Sequence, residues 1–344
     1  MAVRVVVTGS AGMLGDGLVR RLADTGYDVL GVDLRPRPDR CPRARHAAGD
    51  VRDTALMTEL VAGADAVVHC AAALPSYPAD EIRDVIVEGT RSVLRAGHRA
   101  GVPRVVHISS TAVYGLPELV PTPEDHPREP VDAYGRAKAA AEEVAEKFRA
   151  EGLCVPILRP KTFLGPGRMG LFAMLFEWAE EGRHFPILGR GDARIQMLAI
   201  DDLVDAILRA LHAPAEAAGD TFNIAAASFA TLREDFQAVL DAAGHGRRVV
   251  SLPAGPSLAV LRLLGRTGLS PVYERLLFKL LADSYVSIDR ARERLGFEPR
   301  LSNRDAILRT YAWWRENGGP PARAGRTSRD AWRQGALSLA KVFF

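Results

Sequence analysis

Short runs of β-branched and other apolar residues alternate with stretches of helical periodicity through the first half of the chain. Arg4–Thr8, Asp28–Val32, Ala66–His69, Arg104–Ser109 and Val155–Arg159 are apolar almost throughout, as strands are when helices cover both faces of a parallel sheet. Between them, Leu14–Thr25, Thr54–Val61, Ile82–Ala100 and Ala133–Glu151 carry helical patterns, several closing on glycine at Gly26, Gly101 and Gly152. That order predicts βαβ units wound into an α/β, doubly wound parallel sheet. After Arg159 the rhythm changes to loops punctuated by Gly165-Pro166-Gly167 and Phe185-Pro186, with helical patterns at Leu171–Glu181 and Asp201–His212. The apolar run Thr221–Ala225 is expected to return one strand to the main sheet, and Ser257–Leu281 reads as leucine-rich helices. The organisation expected is a first domain over residues 1–162 to which 196–225 return, a smaller, mostly helical lobe from 163–195 and 226–319, and a tail over 320–344. The apolar end of that tail, Leu337–Phe344, is expected to dock on the body of the protein.

A length of 344 residues leaves room for a large core and a second lobe. Composition narrows the classes further: 45 basic residues against 42 acidic leave a net charge of only +3, and the arginines are scattered rather than striped, so no nucleic-acid partner is expected. Cys41, Cys70 and Cys154 are odd in number and widely spaced, with no zinc-binding pattern, so no metal is expected and a reduced, cytoplasmic setting fits. The apolar start, Met1 to Val7, is too short for a secretion signal and reads as the first strand. Arg262 and Arg266 interrupt the longest apolar stretch, so no membrane span is expected.

Two places carry chemistry. Strand Arg4–Thr8 runs into Gly9-Ser10-Ala11-Gly12-Met13-Leu14-Gly15, with helical periodicity from Leu14 onward. Glycines at such a strand-to-helix turn permit close backbone approach, and the helix amides offer an anion site for a pyrophosphate, as in a Rossmann domain. Asp33 follows 18 residues after Gly15, at the end of the second predicted strand, where a carboxylate can accept from a ribose diol. NAD is therefore expected over NADP, although Arg35 is a nearby guanidinium that could help accommodate a phosphate. Asp50-Val51 either faces the adenine or serves only the start of the helix at Thr54.

The second place is Tyr134-Gly135-Arg136-Ala137-Lys138, which sets a phenol and an amine four residues apart on one helix face. An ammonium beside a phenol stabilises the phenolate, making Tyr134 a candidate general acid/base for proton transfer at a carbinol. Strand Arg104–Ser109 delivers Ser110 and Thr111 to its carboxyl end, where a hydroxyl can hold the reacting oxygen.

Together these residues resemble the extended short-chain dehydrogenase/reductase superfamily, the NAD-dependent epimerase/dehydratase family. The resemblance runs to about Gly318 and rests on Thr8 to Gly15, His69-Cys70-Ala71-Ala72, His107 to Gly115, Tyr134 with Lys138, Leu158-Arg159-Pro160 leading to Gly165-Pro166-Gly167, Ile200-Asp201-Asp202, Phe222-Asn223-Ile224 and Leu295 to Pro299. It implies that Tyr134 moves the proton, that Lys138 holds the nicotinamide ribose and tunes Tyr134, and that Ser110 positions the substrate oxygen, with Thr111 as the fallback. It also implies a cofactor bed made by Gly9, Ala11, Gly12, Met13, Leu14, Asp33, Asp50, Val51, Ala71 and Ala72, and a homodimer through Ile82–Ala100 and Ala133–Glu151. Tyr114 either lines the substrate pocket or is a core aromatic.

Departures from the family pattern bear on the reaction. The 4,6-dehydratases carry an Asp-Glu pair after the catalytic Thr, and the glucuronate decarboxylases also need the Glu; here Ala112 follows Thr111. Ile86 stands where many members have Asn, and Thr162 stands where an Asn often helps hold a nucleotide-sugar phosphate. Arg194 lies where members often place a basic residue facing that phosphate. The expectation is a sugar-nucleotide epimerase or ketoreductase. A hydroxysteroid-like or other apolar-alcohol dehydrogenase is the alternative, suggested by the leucine-rich helices of Ser257–Leu281. A non-catalytic dinucleotide-binding regulator is disfavoured by the presence of both Tyr134 and Lys138.

Overall fold

The computed structural model describes residues 2–167, 171–256 and 281–317. The tail from Pro320 and all of the leucine-rich stretch expected as helices except Leu281 lie outside the described residues. Seven strands form one parallel sheet: β1 (Arg4–Thr8), β2 (Asp28–Asp33), β3 (Arg45–Ala48), β4 (Ala66–His69), β5 (Val105–Ile108), β6 (Ile157–Pro160) and, from the second half, the strand Thr221–Ile224. In space the order is β3-β2-β1-β4-β5-β6 and then Thr221–Ile224, which pairs with β6 as expected for a returning strand. Val5, Val6 and Val7 of β1 are all fully buried, which is what a strand covered on both faces requires.

Helices cover the two faces. On one side lie α1 (Met13–Asp24) and the helix Ile200–His212, joined in one core that includes Leu18, Leu22, Leu203, Ile207 and Phe222. On the other lie α2 (Thr54–Val61), α3 (Ala79–Arg83), α4 (Gly89–Arg99) and α5 (Ala133–Ala150), over Met57, Ile82, Val93, Leu94 and Val144. A third core belongs to the smaller lobe, where Leu171–Glu180, Leu232–Ala243 and Asn303–Glu316 gather Phe176, Trp178, Phe236 and Tyr311.

Two elements depart from expectation. The helix expected over Ile82–Ala100 is divided into α3, one π-helical turn at Asp84–Glu88, and α4. At the junction a Cβ on Gly89 would lie 2.8 Å from Val51 Cγ2, and the Thr90 hydroxyl donates to the Ile86 carbonyl at 2.6 Å. A π turn there widens the helix where it meets β4 and the Asp50-Val51 turn. Strand β3 was not expected, because Arg-His-Ala-Ala has no β-branched residue; as an edge strand it is held by backbone pairing to β2, from Leu30 opposite Arg45 to Asp33 opposite Ala48.

The chain leaves β1 toward β2 and β3, then crosses back to place β4 on the other side of β1. This reversal makes the carboxyl ends of β1 and β4 the topological switch point, where open α/β sheets leave a crevice.

Phe222 is fully buried in the returning strand. Its truncation to alanine is expected to lower the unfolding free energy by about 3–5 kcal/mol, read by urea denaturation. A loss under about 1 kcal/mol would mean that the second half does not complete the first core.

Candidate active site

The glycine turn lies at the switch point, and its shape follows from backbone contacts. Gly9 has φ +69°, and a Cβ on it would lie 2.7 Å from the Ala71 amide nitrogen; one on Gly15 would drive into the Gly9 carbonyl oxygen. The Gly12 amide donates to that same carbonyl at 3.0 Å, so three glycines fold the turn onto itself and onto the end of β4. Helix α1 starts from Gly12 with no side-chain cap. Asp16, in its first turn, is engaged by Arg20 and Arg40 rather than by the amides. An uncapped helix N-terminus behind a tight glycine turn is a cradle for a phosphate group.

Asp33 ends β2 beside this cradle. One carboxylate oxygen accepts from the Ala11 amide at 3.0 Å and the other from the Arg35 amide at 3.0 Å, which fixes the group and leaves lone pairs on both oxygens for a diol. Asp50 is less open: the Arg52 amide and guanidinium hold it at 2.6–3.1 Å, and this pairing lowers its pKa. The helix cap that follows is Asp53, while Val51 is buried against Gly89. Ala71 and Ala72 follow β4 at the edge of the turn, and the Ala71 amide reaches the Thr8 hydroxyl at 3.4 Å. That hydroxyl meets His69 Nδ1 at 2.8 Å, and His69 Nε2 meets the Thr90 hydroxyl at 3.2 Å. Burial lowers the His69 pKa to about 3, so the ring is a neutral bridge from the glycine turn to α4.

At the carboxyl end of β5, Ser110 caps a short 3-10 turn, Thr111–Tyr114, accepting the Ala112 amide at 3.1 Å. Helix α5 begins beside it, capped by Asp132, whose carboxylate accepts the Gly135 amide at 2.6 Å. Gly135 lets the two elements touch, because a Cβ on it would lie 2.7 Å from the Ala112 carbonyl oxygen. The half-buried Tyr134 and the buried Lys138 follow on one face, with the ammonium 6.0 Å from the phenol ring centroid. Lys138 donates to the Ile108 carbonyl at 2.7 Å. Burial lowers its pKa to about 8. The structure thus brings together Tyr134, Lys138 and the turn that carries Ser110. Thr111 is 8% exposed and directs its hydroxyl 3.5 Å toward the Pro160 carbonyl.

Three residues expected near substrate are placed differently from these. Tyr114 is 2% exposed, donates to Asn223 Oδ1 at 2.8 Å and accepts from Arg159 at 2.7 Å, and is a core group rather than a pocket wall. Thr162 is exposed next to the two-stranded pair Phe163–Leu164 and Leu198–Ala199. Arg194 is exposed and rests against the ring pair of Phe229 and Tyr285, at 5.0 and 5.1 Å from their centroids, which are 5.3 Å apart. The residues without an assigned part in the sequence pattern are Glu142, buried one helical turn beyond Lys138, and its buried partner Arg159, joined to it by two hydrogen bonds of 2.9 and 2.6 Å. The available signal was spacing: Glu142 lies four residues after Lys138, on the same helix face. Among the described residues no group of three or more His, Cys, Asp or Glu could hold a metal ion, and no helix is long and apolar enough to cross a membrane.

The model of the NAD dependent epimerase/dehydratase family matches residues 5–225. The chain is 31% identical over 339 residues to a 3β-hydroxysteroid dehydrogenase/Δ5→4-isomerase of Mycobacterium tuberculosis, covering 90% of each. It is 30% identical over 336 residues to a UDP-glucose 4-epimerase of Mycolicibacterium smegmatis, covering 91% of this chain and 98% of that protein. A crystal structure of a dTDP-glucose 4,6-dehydratase from Streptomyces venezuelae with NAD bound superposes with a TM-score of 0.73 at 28% identity, covering 91% of this chain and 97% of that one.

The geometry generates two tests. Asp33→Ala is expected to weaken NAD binding roughly tenfold while changing NADP binding much less, measured by calorimetric titration of both; equal losses would remove the carboxylate from ribose recognition. Gly135→Ala forces a methyl against the Ala112 carbonyl and is expected to destabilise the protein by about 1–3 kcal/mol in urea denaturation. An unchanged midpoint would mean that the contact between α5 and the 3-10 turn is slack.

Proposed function

The chain belongs to the NAD dependent epimerase/dehydratase family, and from that premise we propose that it interconverts a carbinol and a ketone, with Tyr134 as general acid/base. The observation that carries this is the buried Lys138 ammonium, held by the Ile108 carbonyl one helical turn from Tyr134. NAD, for which the glycine cradle and Asp33 are suited, supplies the hydride chemistry when bound; the chain's own residues handle the proton and the oxygen. Tyr134 takes the hydroxyl proton as the carbinol is oxidised and returns it on reduction. Lys138 favours the phenolate by its charge and offers ammonium hydrogens to the nicotinamide ribose. The Ser110 oxygen already accepts the Ala112 amide, which orients its own hydrogen for donation to the reacting oxygen. Ala112 is 7% exposed and supplies no acid or base, so dehydration by a carboxylate pair at that place is not part of the proposal.

The substrate class favoured is a sugar nucleotide, on the similarity to the UDP-glucose 4-epimerase and on Arg194, an exposed cation resting against the rings of Phe229 and Tyr285. A ketone retained and reduced on its other face gives epimerisation; a ketone released gives net oxidation. A second substrate class has its own observation. Leu116, Leu119 and Val131 are 44%, 56% and 48% exposed on the loop between the 3-10 turn and Tyr134. Apolar side chains at that place suit an apolar alcohol, and the hydroxysteroid dehydrogenase is a comparably similar relative.

Tyr134→Phe is expected to reduce turnover at least about a thousandfold while NADH affinity stays within about twofold. Turnover is followed by NADH absorbance with a 3β-hydroxysteroid and by product analysis with UDP-glucose. Retained turnover would remove Tyr134 from the chemistry. Mass spectrometry of small molecules released by denaturing the purified protein separates the two outcomes for the substrate: stoichiometric NAD supports internal recycling by an epimerase, and an empty protein that binds added NADH supports a dehydrogenase or reductase.

A further inference from the structure

The catalytic face of α5 continues one turn beyond Lys138 to Glu142, whose side chain is completely buried. Its carboxylate is the meeting point of four elements. From β6, Arg159 donates twice, at 2.9 and 2.6 Å; from the loop before α5, Arg128 lies at 3.3 Å; from the end of β5, the Ser109 hydroxyl donates at 2.5 Å. Ser109 is the residue between Ile108, whose carbonyl receives the Lys138 ammonium, and Ser110, whose hydroxyl faces the reaction. A carboxylate on α5 therefore grips the strand end that presents both partners of the catalytic pair.

We infer that Glu142 is a positioning residue for Lys138: it tethers the end of β5 through Ser109 and supplies the buried negative charge that keeps the neighbouring ammonium protonated. This rests on the function proposed above. The surroundings of Lys138 leave Glu142 as the only carboxylate among the described groups that act on it. Cys70 contributes a thiol from the end of β4, whose pKa burial raises to about 12. His69 and His107 face it from β4 and β5 as neutral rings, since burial lowers both pKa values. Tyr134 is its neighbour on the same helix. Burial works against the ammonium; the Cys70 thiol is uncharged over the range where the ammonium titrates, and the Glu142 charge works for it.

The sign of the effect follows. The ammonium is present below its pKa and lost as pH rises through it, so removing the Glu142 charge moves that loss to lower pH. NADH is the probe: an ammonium that holds the nicotinamide ribose makes affinity fall above the Lys138 pKa, and the break in affinity against pH reports the free protein. In Glu142→Gln, fluorescence titration of NADH is expected to show this break about one pH unit lower than in the unsubstituted protein, with Glu142→Asp bringing it back. Should Glu142→Gln fail to fold with Arg159 left unpaired, the double variant Glu142→Met/Arg159→Met removes both charges with apolar groups that fill the space, and the same downward move is expected. A uniform loss of affinity with the break unmoved is the signature of a merely structural ion pair and overturns the inference. If the unsubstituted protein binds no NADH at any pH, the proposed function itself fails; if it binds and Tyr134→Phe abolishes turnover while the break stays fixed, only the positioning role falls.

Discussion

Burying a lysine ammonium beside the Tyr134 phenol is the constraint around which the carboxyl edge of the sheet is built. A charge removed from water needs oxygen partners and a counter-charge. Lys138 finds the first in the Ile108 carbonyl and the second one turn along its own helix, in Glu142. Glu142 in turn needs Arg159 and Ser109, and Arg159 needs Tyr114 and the Glu124 carbonyl. Asn223, on the strand returned from the second half of the chain, closes the network by accepting from Tyr114 and donating to the Thr122 carbonyl. The requirement of one buried cation thus extends through the last strands of the sheet.

The other half of the site is set by the opposite means, the absence of side chains. At Gly9, Gly12 and Gly15 the backbone packs against itself and against Ala71, so the turn has no room for a Cβ at the first and third positions and leaves the start of α1 open. Gly135 does the same work where α5 meets the turn after Ser110. Glycine contacts place the turn before α1 and the turn after Ser110 close to the sheet edge, and the buried charges hold Lys138 and Ser109 there.

Much of this was legible in the residue pattern because its causes are local or periodic. The buried strands, the glycine turn, Asp33 and the Tyr134/Lys138 spacing each leave a signal within a few residues. Strand β3 left none, since it is held by the backbone of β2 and not by its own side chains. The π turn at Asp84–Glu88 is likewise a tertiary effect, produced where Gly89 meets Val51 and Thr90 meets His69. Helices Leu232–Ala243 and Asn303–Glu316 did carry a local signal in their capping boxes, Thr231 with Glu234 and Ser302 with Asp305. The role of Tyr114 was open between pocket and core, and only Arg159, 45 residues away, decides it.

On the function proposed above, substrate choice and chemistry fall to different parts of the chain. A steroid dehydrogenase and a sugar-nucleotide epimerase match this chain almost equally, at 31% and 30% identity over nearly its whole length. That equality follows if proton transfer and cofactor binding depend on the sheet edge, where buried charges and glycine contacts resist change, while the remainder of the substrate is read by exposed side chains that bear no such load. Leu116, Leu119 and Val131 are 44%, 56% and 48% exposed, and Arg194 rests exposed against the rings of Phe229 and Tyr285. None of these side chains belongs to the buried network around Glu142, so on the function proposed above one frame can serve an anionic sugar or an apolar ring system. On that proposal the overlap in sequence similarity is a property of the frame, and the outward-facing residues on the loop before Tyr134 and at Arg194 are where the two substrate classes are expected to diverge.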